Sequence, residues 1–133
     1  MKDYHFLIEE AFKALKNAYV PYSNYPVGAC VLSKDGHKFY GCNIENASYG
    51  ATNCGERTAI FSCYASGYRK DDIEAIAIVS NGKRIGTPCG ICRQVLSELL
   101  NPETPIILAT RDDVMYTNIK ELLPYNFSSE DLK

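Results

Sequence analysis

Three cysteines and one glutamate are the residues of this sequence best suited to chemistry. Cys54 opens the run Cys54-Gly55-Glu56, and Cys89 and Cys92 lie in Pro88-Cys89-Gly90-Ile91-Cys92. A catalytic zinc is held by three protein ligands and keeps a fourth position for water, whereas a structural zinc is closed by four. No obvious fourth ligand is offered here, because His5 and His37 lie next to neither motif. The triplet therefore reads as a site for one Zn2+ per chain plus water, with Glu56 placed to move that water's protons. A C-x-x-C alone also serves redox chemistry, and three cysteines can fill a core as small hydrophobes. The added C-x-E and the preceding proline are what favour the metal.

The elements that must carry these groups are legible in the periodicity. Cys54 to Ser66 reads as a helix ended by Gly67. From Cys89 onward, Cys92, Val95, Leu96, Leu99 and Leu100 recur at helical steps. Both cysteine motifs thus fall at helix N-termini, where unpaired N–H groups and the helix dipole favour a thiolate. On the first of these helices Glu56, Ile60, Cys63 and Gly67 share a side, so the carboxylate faces the apolar stripe and its pKa rises. A helix that starts later would instead leave Glu56 a solvated first-turn acid. Three thiolates outweigh the charge of Zn2+, and Arg57 could relieve the excess by donating to a cysteine sulfur. Spacing alone leaves Arg57 equally readable as an ordinary surface arginine.

Around these helices the chain alternates helix and strand. Apolar residues from Asp3 to Asn17 form an amphipathic stripe, with Asp3 a candidate N-cap. Pro21 and Pro26 bracket a loop containing Tyr25. Val27 to Leu32 and Lys38 to Glu45 read as strands joined by a hairpin turn over Ser33 to His37. Glu74 to Ser80 and Pro105 to Thr110 read as buried strands, Val114 to Thr117 as a short edge strand, and Ile119 to Leu123 as a short helix cut off by Pro124. The tail from Tyr125 is polar apart from Phe127 and Leu132. This order predicts one α/β domain over residues 1–133, a three-layer α/β/α sandwich on a mixed, mostly parallel five-stranded sheet. On the second strand Gly41, Asn43 and Glu45 share a face. An amide and a carboxylate two apart can grip the hydroxyls of a ribose, and solvated residues at a strand end would look the same. Cys30, Cys42 and Cys63 fall on apolar-patterned positions and read as core.

Composition narrows the function. With 133 residues, 46% apolar and 23% charged, the chain is an ordinary globular sequence long enough to bury a core. Fourteen basic against sixteen acidic residues give a net charge of −2, a poor match to a nucleic-acid binder. No run of 18 apolar residues suggests a membrane span, and the start lacks the apolar core of a signal peptide. A cytoplasmic protein with reduced thiols is expected.

Three stretches together, Cys42-Asn43-Ile44-Glu45-Asn46-Ala47-Ser48-Tyr49, Cys54-Gly55-Glu56-Arg57-Thr58-Ala59 and Pro88-Cys89-Gly90-Ile91-Cys92-Arg93-Gln94-Val95, closely resemble the short, homotetrameric cytidine deaminases. The likeness runs from Pro21-Tyr22-Ser23 to Leu122-Leu123-Pro124-Tyr125-Asn126-Phe127-Ser128. It implies zinc on Cys54, Cys89 and Cys92, Glu56 as proton shuttle, and hydrolysis of cytidine and 2′-deoxycytidine to the uridines, a step of pyrimidine salvage. It further implies that Asn43 and Glu45 hold the ribose 3′-hydroxyl and that the Gly55 backbone donates to the base carbonyl. A homotetramer with sites shared between subunits is implied, with a pyrimidine nucleoside as the small-molecule partner: Phe127 resembles the aromatic that reaches a neighbour's pyrimidine, and Tyr49 a residue completing a neighbour's site. The chain departs from the family where alanine is usual at Gly55 and phenylalanine at Tyr25. Both departures bear on preference among substrates. The rival readings are a deaminase of modified nucleosides, a polynucleotide-editing deaminase and a zinc or redox module without catalysis.

Overall fold

Helix α1 (His5–Leu15) is amphipathic as the periodicity predicts, but the buried stripe is Leu7, Ile8, Ala11, Phe12, Ala14 and Leu15, while Phe6 lies exposed. It lies on one face of a sheet whose strands are β1 (Val27–Ser33), β2 (Lys38–Cys42), β3 (Ile73–Ser80), β4 (Ile106–Ala109) and β5 (Val114–Thr117). The computed structural model describes residues 3–133. Helices α2 (Gly55–Ala65) and α3 (Gly90–Leu99) cover the other face, and the single turn of α4 (Ile119–Leu122) packs beside α3. The result is the expected three-layer arrangement.

Strand β3 shows how the layers are sealed. Its Ala75, Ala77 and Val79 meet α1, while Ile76 and Ile78 meet the side of α2 and α3. Burial on both faces explains why this stretch reads as unbroken Ile, Ala and Val and not as an alternating pattern. Each buried leucine, isoleucine or phenylalanine contributes about 1.5–3 kcal/mol, so these two clusters outweigh any surface ion pair, worth roughly 0–1 kcal/mol.

The sheet order is β2-β1-β3-β4-β5. It is mixed, but the expectation that it is mostly parallel is corrected. Only β3 and β4 run parallel, while β1–β2, β1–β3 and β4–β5 are antiparallel. The reason lies in the connections. A short turn can join only antiparallel neighbours, and a parallel pair needs a crossover such as α3. The hairpin turn before β2 and the tight turn at Thr110, whose hydroxyl accepts from the amides of Asp112 and Asp113, therefore force antiparallel pairing. Boundaries shift by a few residues elsewhere. Tyr4, and not Asp3, takes the N-cap position of α1, although the Asp3 carboxylate still accepts from the His5 amide at 2.8 Å. Strand β2 stops at Cys42, short of Glu45, because the Asn43 side chain turns back onto the Tyr25–Val27 backbone. Helix α2 ends at Ala65, and Gly67 just beyond its cap, with φ of +95°, is the left-handed closing residue. The tail adds a turn of 3-10 helix at Ser129–Leu132 that the sequence reading leaves out.

Two features generate tests. Gly41 faces α2, and a Cβ there would overlap the backbone nitrogen of Ala59 and the carbonyl oxygen of Gly55. Backbone atoms cannot step aside, so Gly41→Ala is expected to lower stability by at least about 2 kcal/mol in urea denaturation. In the β1–β2 turn, Asp35 accepts from the Ser33 hydroxyl, from the Tyr68 hydroxyl at 2.8 Å and from the His37 ring at 3.1 Å. These bonds, Ser33 first, hold its carboxyl well below the usual range. The folded state therefore binds the proton more weakly than the unfolded chain. This contribution is complete above the unfolded value of about 4 and fades as pH falls beneath it. Denaturation midpoints compared at pH 6 and pH 3 should drop less for Asp35→Asn than for the unaltered protein.

Candidate active site

Register brings the site to one end of the sheet. Val27 at the start of β1 lies opposite Ser80 at the end of β3, and Gly28 lies opposite Cys42 at the end of β2. Helices α2 and α3 begin at this end. Cys54 is the N-cap of α2 and Cys89 the N-cap of α3, with Cys92 in its first turn. The three sulfurs lie within 4.8 Å of one another and form the one such cluster of metal-ligating groups among the described residues. His5 and His37 are far from it, on α1 and in the β1–β2 turn. Zinc–sulfur bonds of about 2.3 Å set tetrahedral sulfurs roughly 3.8 Å apart, a scale these thiols approach. A cradle of three soft donors and no fourth protein ligand fits a zinc with an open corner.

The surroundings favour thiolate at Cys54. Hydrogen bonding from Cys92, then from Arg57, holds Cys54 down at about 5, against the opposing effect of burial. Cys92, fully buried, is correspondingly pushed up by that same bond and by desolvation. The Arg57 guanidinium Nη2 donates to Cys54 Sγ at 3.4 Å, so Arg57 is not an ordinary surface arginine. Its Nε is buried without a partner. Arg93 secures the other motif by donating to the Pro88 carbonyl at 2.7 Å, the Leu122 carbonyl at 2.7 Å and the Thr87 hydroxyl at 2.8 Å.

Glu56 stands in the first turn of α2 and is only 5% exposed, on the side that holds Ile60 and Cys63. Burial pushes its carboxyl up to about 7, where a group can accept and return protons near neutral pH. It lines a cavity with Tyr25, Val27, Ser80, Gly86 and Thr87. Neither Asn43 nor Glu45 lines this cavity; both bind the Pro21–Pro26 loop that carries Tyr25, and Glu45 lines the neighbouring groove with Tyr22 and Ser23. Asn43 donates to the Tyr25 carbonyl and accepts from the Val27 amide, each at 2.9 Å. Glu45 accepts from the Tyr22 and Ser23 amides at 3.0 and 3.1 Å and from the Ser23 hydroxyl. Both side chains are therefore buried fixtures, not solvated residues at a strand end, and they hold Tyr25 over the cavity. Gly55 is buried against Val27 and Cys42. Tyr49 sits in an adjoining groove, edge-on to Tyr22, and is 77% exposed. Phe127 is held near α3 by Gln94, which donates to its carbonyl at 2.9 Å. Neither Tyr49 nor Phe127 lines the Glu56 cavity of its own chain.

The family model for the cytidine and deoxycytidylate deaminase zinc-binding region matches residues 1–108. A cytidine deaminase of Halalkalibacterium halodurans is 50% identical over 131 residues, covering 98% of each chain. The chain belongs to the cytidine deaminase family. Another cytidine deaminase, from Sporosarcina psychrophila, is 46% identical over 98% of this chain and 95% of its own. The crystal structure of a cytidine deaminase from Burkholderia pseudomallei superposes with a TM-score of 0.91 at 48% identity, over 95% of this chain and all of that one. Zinc is the cofactor of such a deaminase domain, and the Cys54, Cys89 and Cys92 thiols are the donors this chain offers it.

Several residues of this deaminase site escape a reading of the sequence. Ser23 latches the loop onto Glu45, and Ser80, Gly86 and Thr87 wall the cavity. The signal for Ser80 is its place as the last residue of β3, since ligands of α/β sheets gather beyond the carboxyl ends of strands. Gly86 is explained by Tyr25. A Cβ at position 86 would lie 2.6 Å from the Tyr25 hydroxyl oxygen but 3.8 Å from ring carbon Cζ. A side chain there would meet the hydroxyl first, so the Tyr25 ring would have to shift to admit it. Gly86→Ala is therefore expected to displace Tyr25 and raise the KM of the deaminated nucleoside severalfold. Adding Tyr25→Phe should restore it, because the remaining contact is ordinary. A double-mutant cycle in KM reads the coupling directly.

Proposed function

We propose that the chain is a single deaminase domain that hydrolyses cytidine and 2′-deoxycytidine to uridine and 2′-deoxyuridine, releasing ammonia, as in pyrimidine salvage in the cytoplasm. The observation that carries this is the buried Glu56 carboxyl, which opens into a cavity and feels the charges of Cys54 and Cys92 in the three-thiol cluster. Zinc held by Cys54, Cys89 and Cys92 supplies the Lewis acidity that makes water a nucleophile at neutral pH. Glu56 takes the proton of the water that attacks C4 and delivers it to ring nitrogen N3. As the C4–N bond breaks, Glu56 takes the second proton, from the hydroxyl now on C4, leaving the C4 carbonyl, and hands it to the amine, which departs as ammonia. Its elevated pKa suits both directions of transfer. Arg57 offsets the thiolate charge through Cys54.

In this reading Asn43 and Glu45 hold the ribose 3′-hydroxyl, the Gly55 amide meets the base carbonyl and Tyr25 covers the ring. The exposure of Tyr49 at 77% and Phe127 at 58% supports a homotetramer in which these aromatics complete neighbouring sites. The net charge of −2 supports a free nucleoside over a polynucleotide substrate. Among the described residues no helix is long and apolar enough to cross a membrane.

Replacing Glu56 with Gln keeps the shape of the site and removes the proton carrier. Metal analysis of Glu56→Gln should still find one zinc per chain. Its turnover of cytidine, followed by ultraviolet absorbance, should fall by a factor of at least about 10²–10⁴. Full activity in that variant would remove Glu56 from this role.

A further inference from the structure

Ser80 is a buried polar residue whose hydroxyl lacks a partner. The residue is 4% exposed, and its Oγ makes no hydrogen bond within the chain. The side chain is not lost in the apolar core. It lines the same cavity as Glu56, Tyr25, Gly86 and Thr87. Gly82 lies beside both groups: a Cβ built there would stand 3.6 Å from Ser80 Oγ and 3.4 Å from Tyr25 Cε1. Hydroxyl and ring thus converge at one wall of the cavity.

A buried hydroxyl without a partner is disfavoured, because it gives up water and gains nothing in return. Native proteins satisfy nearly all such groups, so this one points to an occupant of the cavity. The cavity measures about 50 Å³, room for a small polar group or a few waters. Thr87 on its wall precedes Pro88-Cys89, so this is the end at which the thiols and Glu56 meet the reacting carbon. The polar group that the proposed substrate brings to that carbon is its amino substituent.

We infer that Ser80 is a further substrate contact, its hydroxyl oxygen accepting a hydrogen bond from the exocyclic amine of the pyrimidine and from the ammonia that amine becomes. This rests on the deaminase reading above and assigns that site a residue selecting for an amine at the attacked carbon. Glu56 still supplies the proton and Ser80 transfers none, so it binds and orients the leaving group. It also predicts opposite effects on stability and activity. Removing the hydroxyl relieves a desolvated group in the free protein and deletes a contact in the complex.

The test uses Ser80→Ala in the zinc-loaded protein, with the unaltered protein alongside. The kcat/KM for cytidine should fall about three- to tenfold, the cost of one neutral hydrogen bond. The melting temperature without ligand should stay level or rise. The inhibition constant of the 2-pyrimidinone ribonucleoside, which carries hydrogen in place of the amine, should not change. Unchanged kcat/KM, a lowered melting temperature without ligand, or equal losses for both nucleosides would each overturn the assignment of Ser80 while leaving the deaminase reading intact. An unaltered protein that does not convert cytidine would overturn that reading, and the inference with it.

Discussion

The seat of α2 against β2 at Gly41 is the constraint on which the rest of the molecule depends. With no side chain at position 41, the backbone of Gly55 and Ala59 comes within contact of the strand. That approach sets the first turn of α2, and hence Cys54 and Glu56, directly beside the strand end that carries Asn43. A helix held one side chain further out would pull Cys54 from Cys89 and Cys92, and would open Glu56 to water. The apolar stripe of α2 is modest, so closeness of backbone, more than breadth of greasy surface, fixes its position.

Electrostatics at this end of the sheet follow from that geometry. Three thiolates around one Zn2+ leave an excess of negative charge, which would blunt the metal as an acid. Two helix N-termini and the Arg57 guanidinium face that excess and draw some of it away. The same crowding keeps the Glu56 carboxyl out of water and raises its affinity for a proton. Low dielectric thus does two jobs within one turn of helix. It lets fixed dipoles act strongly on the thiols, and it tunes the acid beside them.

Much of this was legible in the residues. Cys54 and Cys89 sit at helix starts as their spacing implies, and the i, i+4 relation of Glu56 to Ile60 foretells its burial. Alternation along Gly41, Asn43 and Glu45 survives even though the strand ends at Cys42, because extended backbone keeps its period without a partner strand. Strand direction was the failure: Ile- and Val-rich runs look alike in parallel and antiparallel ladders, and only the connections separate them. Ser80, Gly86 and the latch of Ser23 on Glu45 were hidden for a different reason. Each matters through what it meets across the fold, and no local pattern encodes a meeting between residues 25 and 86.

The thiols that converge at the site come from two segments, one at residue 54 and the other at residues 89 and 92, with all of α2 and β3 strung between them. A metal gripped by all three is then a staple as well as a reagent. It closes that long span of chain into a ring, and the open, unfolded forms lose freedom that the packed form never had. Endurance of the fold and readiness for catalysis are thereby tied to the same ion.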